Sequence, residues 1–205
     1  MEQLFIFPYN GNGIEAYDCI QGQYDFIGFI DDTVEKQGLN EFGLRVYSRN
    51  ILKQFPHAKI ILVPGSPTSY IDRKKIIDQF NFNEDNFATL IHPKASISEF
   101  AQIGKNVLIM AGVVITSNAC IEDHVCILPN TVIHHDSIIK RYNLIGSNVT
   151  IAGYSMIEEN CYIGSGSSII NNIKINKFSL VGMSSTVIKD LPESSKVVGN
   201  PSRFL

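Results

Sequence analysis

The chain has 205 residues, 44% apolar and 18% charged, with a formal net charge of -3. That length can bury a sizeable core as one large or two small domains, and the composition is globular rather than disordered or fibrous. The mildly acidic balance, with no clustered basic face, argues against a nucleic-acid partner. No apolar run approaches the roughly 18 residues that span a bilayer.

In chain order, Met1-Glu2-Gln3 has neither a basic n-region nor a small-residue cleavage site, so the start does not read as a signal peptide. Leu4-Phe5-Ile6-Phe7 predicts a buried strand, followed by a turn through Tyr9-Asn10-Gly11-Asn12-Gly13 and a helix from Ile14 to about Ile20. Phe26-Ile27-Gly28-Phe29-Ile30 predicts a second strand that ends in the acidic pair Asp31-Asp32. A short helix is expected over Ser48 to Gln54 with Ser48 as N-cap, a third strand at Lys59-Ile60-Ile61-Leu62-Val63, and a helix from Asp72 to Phe80. Within that last helix, Arg73-Lys74-Lys75 reads as a solvated face. Strand and helix alternate, so residues 1–88 are expected to form a small Rossmann-like parallel sheet flanked by helices. Ligands of such sheets sit at the carboxyl ends of the strands. Three loops fall there: Asn10-Gly11-Asn12-Gly13, Asp31-Asp32 and Pro64-Gly65-Ser66. Glycine-rich backbone N–H groups suit a phosphate, and carboxylates suit ribose hydroxyls or base N–H groups. The full G-x-G-x-x-G is missing, and a plain strand-to-helix turn reads equally well there.

From residue 89 the pattern changes. An aliphatic residue recurs every six positions from Ile91 to Val187, 17 times without a slip, and each one is Ile or Val. Four residues after each comes a smaller side chain, from Ala95, Ala101 and Val107 to Ser155, Cys161 and Ser167. A chain that turns a corner every six residues winds a three-sided prism of 18 residues per circuit, with β-branched side chains stacked inside. Residues 89–205 therefore read as a parallel β-helix. Its rhythm fades at Lys189-Asp190-Leu191-Pro192, leaving the tail Val197-Val198-Gly199-Asn200-Pro201-Ser202-Arg203 to close the open end.

The six-residue frame also places polar groups. His135 falls near a corner facing outward, next to the carboxylate of Asp136, and one circuit on lies Gly153. An imidazole oriented by a carboxylate, with a backbone N–H stacked beside it, holds the parts for base-assisted acyl transfer. An exposed corner histidine is also ordinary surface, and the doublet His134-His135 leaves two choices on placement alone. His92, His124 and His135 lie at different hexad positions, so no metal site is expected. Cys19, Cys120, Cys126 and Cys161 show no Cys-x-x-Cys spacing and fit reduced thiols of a cytoplasmic protein.

Taken together, several segments make the chain resemble the left-handed β-helix (hexapeptide-repeat) acyltransferases, specifically the PglD/NeuD group of sugar acetyltransferases. They are the strand and turn at Leu4–Gly13, Gly28-Phe29-Ile30-Asp31-Asp32, and Leu90-Ile91-His92-Pro93-Lys94-Ala95. Thr131-Val132-Ile133-His134-His135-Asp136, Ile151-Ala152-Gly153 and the Gly199-Asn200-Pro201 tail complete them. The resemblance implies a left-handed prism, a homotrimer with active sites between subunits, and acetyl-CoA as co-substrate without a metal. It implies His135 as general base with Asp136 as its partner, and Gly153 donating its N–H to the thioester carbonyl. The coils near Gly182 would line the coenzyme A path, and Asn10, Gly11, Asn12, Gly13, Asp31 and Asp32 would hold a nucleotide-linked amino sugar. Pro8 and Asn12 stand where the family's turn carries Gly and His. The expected activity is N-acetylation of that sugar in bacterial glycan biosynthesis, with sugar O-acetylation and a non-catalytic trimeric scaffold as the other two readings.

Overall fold

A computed structural model describes residues 1–205. The front of the chain forms a five-stranded sheet from β1 (Gln3–Phe7), β2 (Asp25–Ile30), β3 (Gly38–Leu39), β4 (Arg45–Tyr47) and β5 (Lys59–Leu62). The order is β3-β4-β2-β1-β5, parallel except for the antiparallel β3. The three long strands lie where their apolar runs placed them, with β5 one residue shorter than expected. Strands β3 and β4 were not anticipated, because segments of two and three residues carry no legible period.

The helices differ from expectation at their ends. Helix α1 spans Gly11–Tyr17 and starts three residues early, because the Asn10 side chain accepts the Gly13 N–H at 2.9 Å and caps it. Gly11-Asn12-Gly13 is therefore the first helical turn and not an open loop. Only glycine fits at 13, since a Cβ there would stand 2.0 Å from the Pro8 carbonyl oxygen. The segment Arg49–Gln54 is a 3-10 helix whose expected cap, Ser48, makes no side-chain bond to it. Helix α2 spans only Arg73–Asp78, preceded by a 3-10 turn at Tyr70–Asp72. The solvated reading of Arg73-Lys74-Lys75 holds for the two lysines and fails for Arg73, which is 0% exposed. Its guanidinium reaches the Pro64, His124 and Tyr142 carbonyls, a use of cationic donors that charge pattern alone does not reveal.

Ala88 still donates to the Ile60 carbonyl of β5, at 2.9 Å, and the first coil strand begins at Leu90. From there, each of the 17 periodic aliphatics ends a two-residue strand, and every such strand pairs in parallel with those 18 residues away. The strands stack into three sheets, one per face of the prism. The interior is a column of Ile and Val that is fully buried except in the first coil, where Ile91, Ile97 and Ile103 are half-buried. The smaller position is also interior. From Thr131 to Ser167 its hydroxyls donate to a carbonyl 15 residues on: Thr131 to Gly146 at 2.6 Å, Ser137 to Ala152 at 3.0 Å, Ser155 to Ile170 at 3.0 Å and Ser167 to Gly182 at 2.9 Å. Buried hydroxyls are thus satisfied by the corner of the next coil. Beyond Val187 the repeat shortens to four residues and resumes, with Leu191 bridging Ile175 and Val197 pairing with Val181. The tail therefore adds one more partial coil before Arg203–Phe204 folds back antiparallel on it.

One face of the prism is covered. Its outward residues Leu108, Cys126, Leu144 and Tyr162 pack with Leu4, Ile6, Ala16 and Ile61 of the front sheet and α1 in a single apolar cluster. The outward rows of the other two faces, Val114, Val132 and Thr150 on one and Cys120, Ile138 and Met156 on the other, stay half-buried. Truncating an interior rung, Ile145→Ala, is expected to lower unfolding free energy by about 2–5 kcal/mol; urea denaturation followed by circular dichroism measures it.

Candidate active site

His135 and Asp136 form the corner between the strands Val132–Ile133 and Ile138–Ile139, on the prism edge opposite the covered face. The corner needs a left-handed residue, and Asp136 supplies it with φ 59°, a conformation that Asp and Asn enter most readily among non-glycine residues. The neighbouring coils put Asn118 and Tyr154 in the same conformation directly above and below. Backbone bonds lock this register: the Asp136 N–H donates to Ser117 at 3.0 Å and the Tyr154 N–H to His135 at 3.1 Å.

The His135 imidazole is half exposed, and its Nδ1–H donates to Asp136 Oδ2 at 2.8 Å. That bond fixes the tautomer and leaves Nε2 with a free lone pair. The other Asp136 oxygen accepts the Asn118 side-chain amide at 3.3 Å. Tyr154 sets its ring edge-on to His135, centroids 5.2 Å apart. The hydrogen bond from His135 is the largest influence on the Asp136 carboxyl and, with Asn118, holds its pKa below the ordinary value, so an ionised group orients the ring. Gly153 lies against the ring: a Cβ there would be 2.7 Å from His135 Cε1. The Gly153 N–H has no protein acceptor, like those of Ser117, His135 and Asn171 at the same position of other coils, while those of Lys105, Arg141 and Ser147 are taken by side-chain oxygens; Gly153 differs in lying against the His135 ring. The structure thus brings His135, Asp136 and Gly153 together. Asn118 and Tyr154 were missed, although they stand 18 residues either side of Asp136 and the same count finds them.

The other titratable groups are less suited to proton transfer. His134 has no hydrogen-bonded orienting group. His92 Nδ1 is taken by the Lys94 N–H at 3.0 Å. His124 is stacked on Tyr142, and burial pulls its pKa down to about 4. Burial pushes the Cys19 and Cys161 thiols up to about 12 and Cys126 to about 11, so none is a ready thiolate nucleophile. No three His, Cys, Asp or Glu side chains are arranged to hold a metal, and no helix is long and apolar enough to cross a membrane.

The three loops at the carboxyl ends of β1, β2 and β5 converge. The Asn12 side-chain amide reaches the Gly65 carbonyl at 3.5 Å, and Lys36 Nζ donates to the Tyr9 carbonyl at 3.0 Å and to Asp31 Oδ2 at 2.8 Å. The acidic pair is not the free acceptor set expected. Asp31 is buried and also accepts the Thr33 N–H, while Asp32 pairs with Arg49 at 2.5 Å. Burial would raise the Asp31 pKa; the bonds from Lys36 and Thr33 outweigh it and lower the value. Each carboxylate keeps unused lone pairs for a ligand. Lys36, unforeseen in the sequence, adds a cation at the mouth. Gly182 lies on the covered face, away from the His135 corner, and its missing Cβ makes room for Val198 Cγ1, 2.5 Å from where that atom would be.

Solved structures with the same fold cover the whole chain. A variant of perosamine N-acetyltransferase from Caulobacter crescentus, in complex with CoA and GDP-perosamine, matches 100% of this chain and 97% of its own at 21% identity and a TM-score of 0.87. The acetyltransferase domain of PglB from Neisseria gonorrhoeae in complex with acetyl coenzyme A matches 100% and 99% at 24% identity and a TM-score of 0.88. WeeI from Acinetobacter baumannii matches 100% of both chains at 21% identity and a TM-score of 0.75. At these identities the likeness is one of fold: a small sheet domain followed by a left-handed parallel β-helix. No curated protein matches the sequence. The model of the GMPPB C-terminal domain matches residues 86–197, nearly the whole repeat. The chain belongs to the GMPPB C-terminal domain family.

Proposed function

We propose that the protein is an acetyl-CoA-dependent N-acetyltransferase acting on a nucleotide-linked amino sugar in glycan biosynthesis. The observation that carries this reading is the oriented imidazole of His135 beside the unengaged N–H of Gly153, one coil away. His135 Nε2 takes the proton of the sugar amine as its nitrogen attacks the thioester carbonyl carbon. The carbonyl oxygen gains negative charge and accepts the Gly153 N–H. The intermediate collapses with cleavage of the C–S bond, and His135 returns the proton to the leaving CoA thiolate. Asp136 stays ionised and holds the ring, with Asn118 holding Asp136 and Tyr154 packed edge-on against the imidazole. The solved structures of like fold with CoA and GDP-perosamine bound support the choice of substrates.

Residues 1–88 are the nucleotide-sugar-binding unit and 89–205 the acyltransferase unit in this reading. The nucleotide lies over Asn10, Gly11, Asn12, Gly13, Asp31 and Asp32, with Lys36 at the mouth. Those loops belong to the domain on the covered face, and His135 sits on the opposite edge of the same prism. A homotrimer resolves the separation: the two half-buried faces pair with neighbouring prisms, and a sugar held by one protomer meets the imidazole of the next. Coenzyme A runs along that seam past the Gly153 N–H, and the cytoplasm supplies both substrates. The test is release of free CoA thiol, read with a thiol-reactive dye, from acetyl-CoA and a panel of UDP-, GDP- and dTDP-linked amino sugars. Turnover of at least one is expected; no thiol release with any of them sinks the reading.

A further inference from the structure

The prism edge beside the covered face carries a column of left-handed residues, Asn106, His124, Tyr142, Asn160 and Phe178, each 18 residues from the last. All five turn toward the front domain. The Asn106 side chain brackets the backbone of Leu62 at the end of β5, accepting its N–H at 2.7 Å and donating to its carbonyl at 3.0 Å. Asn106 also bonds His124 Nδ1 at 3.0 Å. Asn160 donates to the Tyr70 and Ile71 carbonyls at 3.2 and 3.3 Å, and the Phe178 carbonyl accepts the Tyr70 hydroxyl at 2.9 Å.

Arg73 is driven into this seam. Nε donates to the Tyr142 carbonyl at 3.0 Å, Nη2 to the His124 carbonyl at 2.8 Å and Nη1 to the Pro64 carbonyl. No carboxylate pairs with it. Its aliphatic stem lies under Gly65, where a Cβ would be 3.1 Å from both Arg73 Cγ and Cδ. A fully buried guanidinium neutralised only by carbonyl dipoles is an expensive way to join two domains. Apolar side chains already cover the same interface. What the guanidinium does, and an apolar side chain would not, is fix one carbonyl of the loop after β5 relative to two coil corners.

We propose that Arg73 is a positioning residue of the nucleotide site: it sets the Pro64-Gly65-Ser66 loop against the β-helix and so fixes the third wall of the mouth formed with Asn12 and Lys36. The inference rests on the nucleotide reading above. Calorimetric titration of the full chain with UDP, GDP and dTDP tests both. Arg73→Lys keeps the charge but not the planar fork that serves three carbonyls, and it weakens the nucleotide that binds by about tenfold or more. Asn160→Ala cuts the same seam farther down; it lowers the melting temperature and leaves nucleotide affinity within about twofold. Unchanged affinity in Arg73→Lys, or equal weakening in Asn160→Ala, overturns the proposal.

If Arg73→Lys does not fold, hydrogen exchange of the wild type decides. Added protection at residues 123–125 and 141–143 on nucleotide binding supports the proposal, and its absence overturns it. A wild type that binds none of the three nucleotides overturns the nucleotide reading and this inference together. Binding that is indifferent to Arg73 overturns this inference alone.

Discussion

His135→Ala is expected to lower kcat with acetyl-CoA and the nucleotide amino sugar by about two to four decades, the usual size of a general-base contribution. The KM for acetyl-CoA should change little, because the substituted group acts on the proton of the incoming amine. The melting temperature should hardly move: the ring is half exposed, and its one side-chain bond is to a surface carboxylate. Steady-state kinetics over a range of both substrates, alongside a thermal melt, separate loss of chemistry from loss of fold. A variant with near wild-type kcat would mean that His134, or no imidazole at all, takes the proton.

The second large effect concerns a residue that carries no side chain. Gly153 has no need of glycine for its backbone, since it is absent from the positions with positive φ. Alanine is therefore compatible with the chain conformation, yet its Cβ would stand 2.7 Å from His135 Cε1 and 2.9 Å from Nε2. The ring must swing outward, and the alignment set by Asp136 is lost with it. A displacement of about 1 Å in a reacting group is worth about 100-fold in rate, so Gly153→Ala should lose about two decades of kcat. The same variant should melt near the wild-type temperature, because a half-exposed ring can move without opening a cavity. Wild-type turnover in Gly153→Ala would separate the stacked glycine from the chemistry.

The architecture of the back half was legible in the primary structure because one physical cause, interior stacking of β-branched residues, repeats at a fixed interval with no competing signal. The same interval located Gly153 beside His135. It also places Asn118 and Tyr154 on either side of Asp136. The front half was less legible. Its long strands announce themselves as apolar runs, but β3 and β4 are too short to show a period, and the start of α1 is decided by one Asn10 side chain. Arg73 was misread for a different reason. Three consecutive cations look like a wet face, and nothing in the local sequence says that three carbonyls from remote segments wait for the first of them. The acidic pair was found, while its partners were not: Lys36 reaches Asp31 through a 3-10 turn and Arg49 reaches Asp32 across 17 residues. Local pattern finds the groups that make an element, and only tertiary packing says what each has been paired with.

The unbroken spacing of the rungs also determines which kinds of sequence change the molecule can absorb. Every bend has nearly the same backbone, so exchanging an outward side chain at one of them leaves its neighbours undisturbed, and specificity can drift by point substitution. Losing or gaining one residue between Ile133 and Ile139 is another matter. It would turn the later aliphatics off the axis and slide position 153 out from under position 135. Such a scaffold is permissive to spelling errors and intolerant of frame errors.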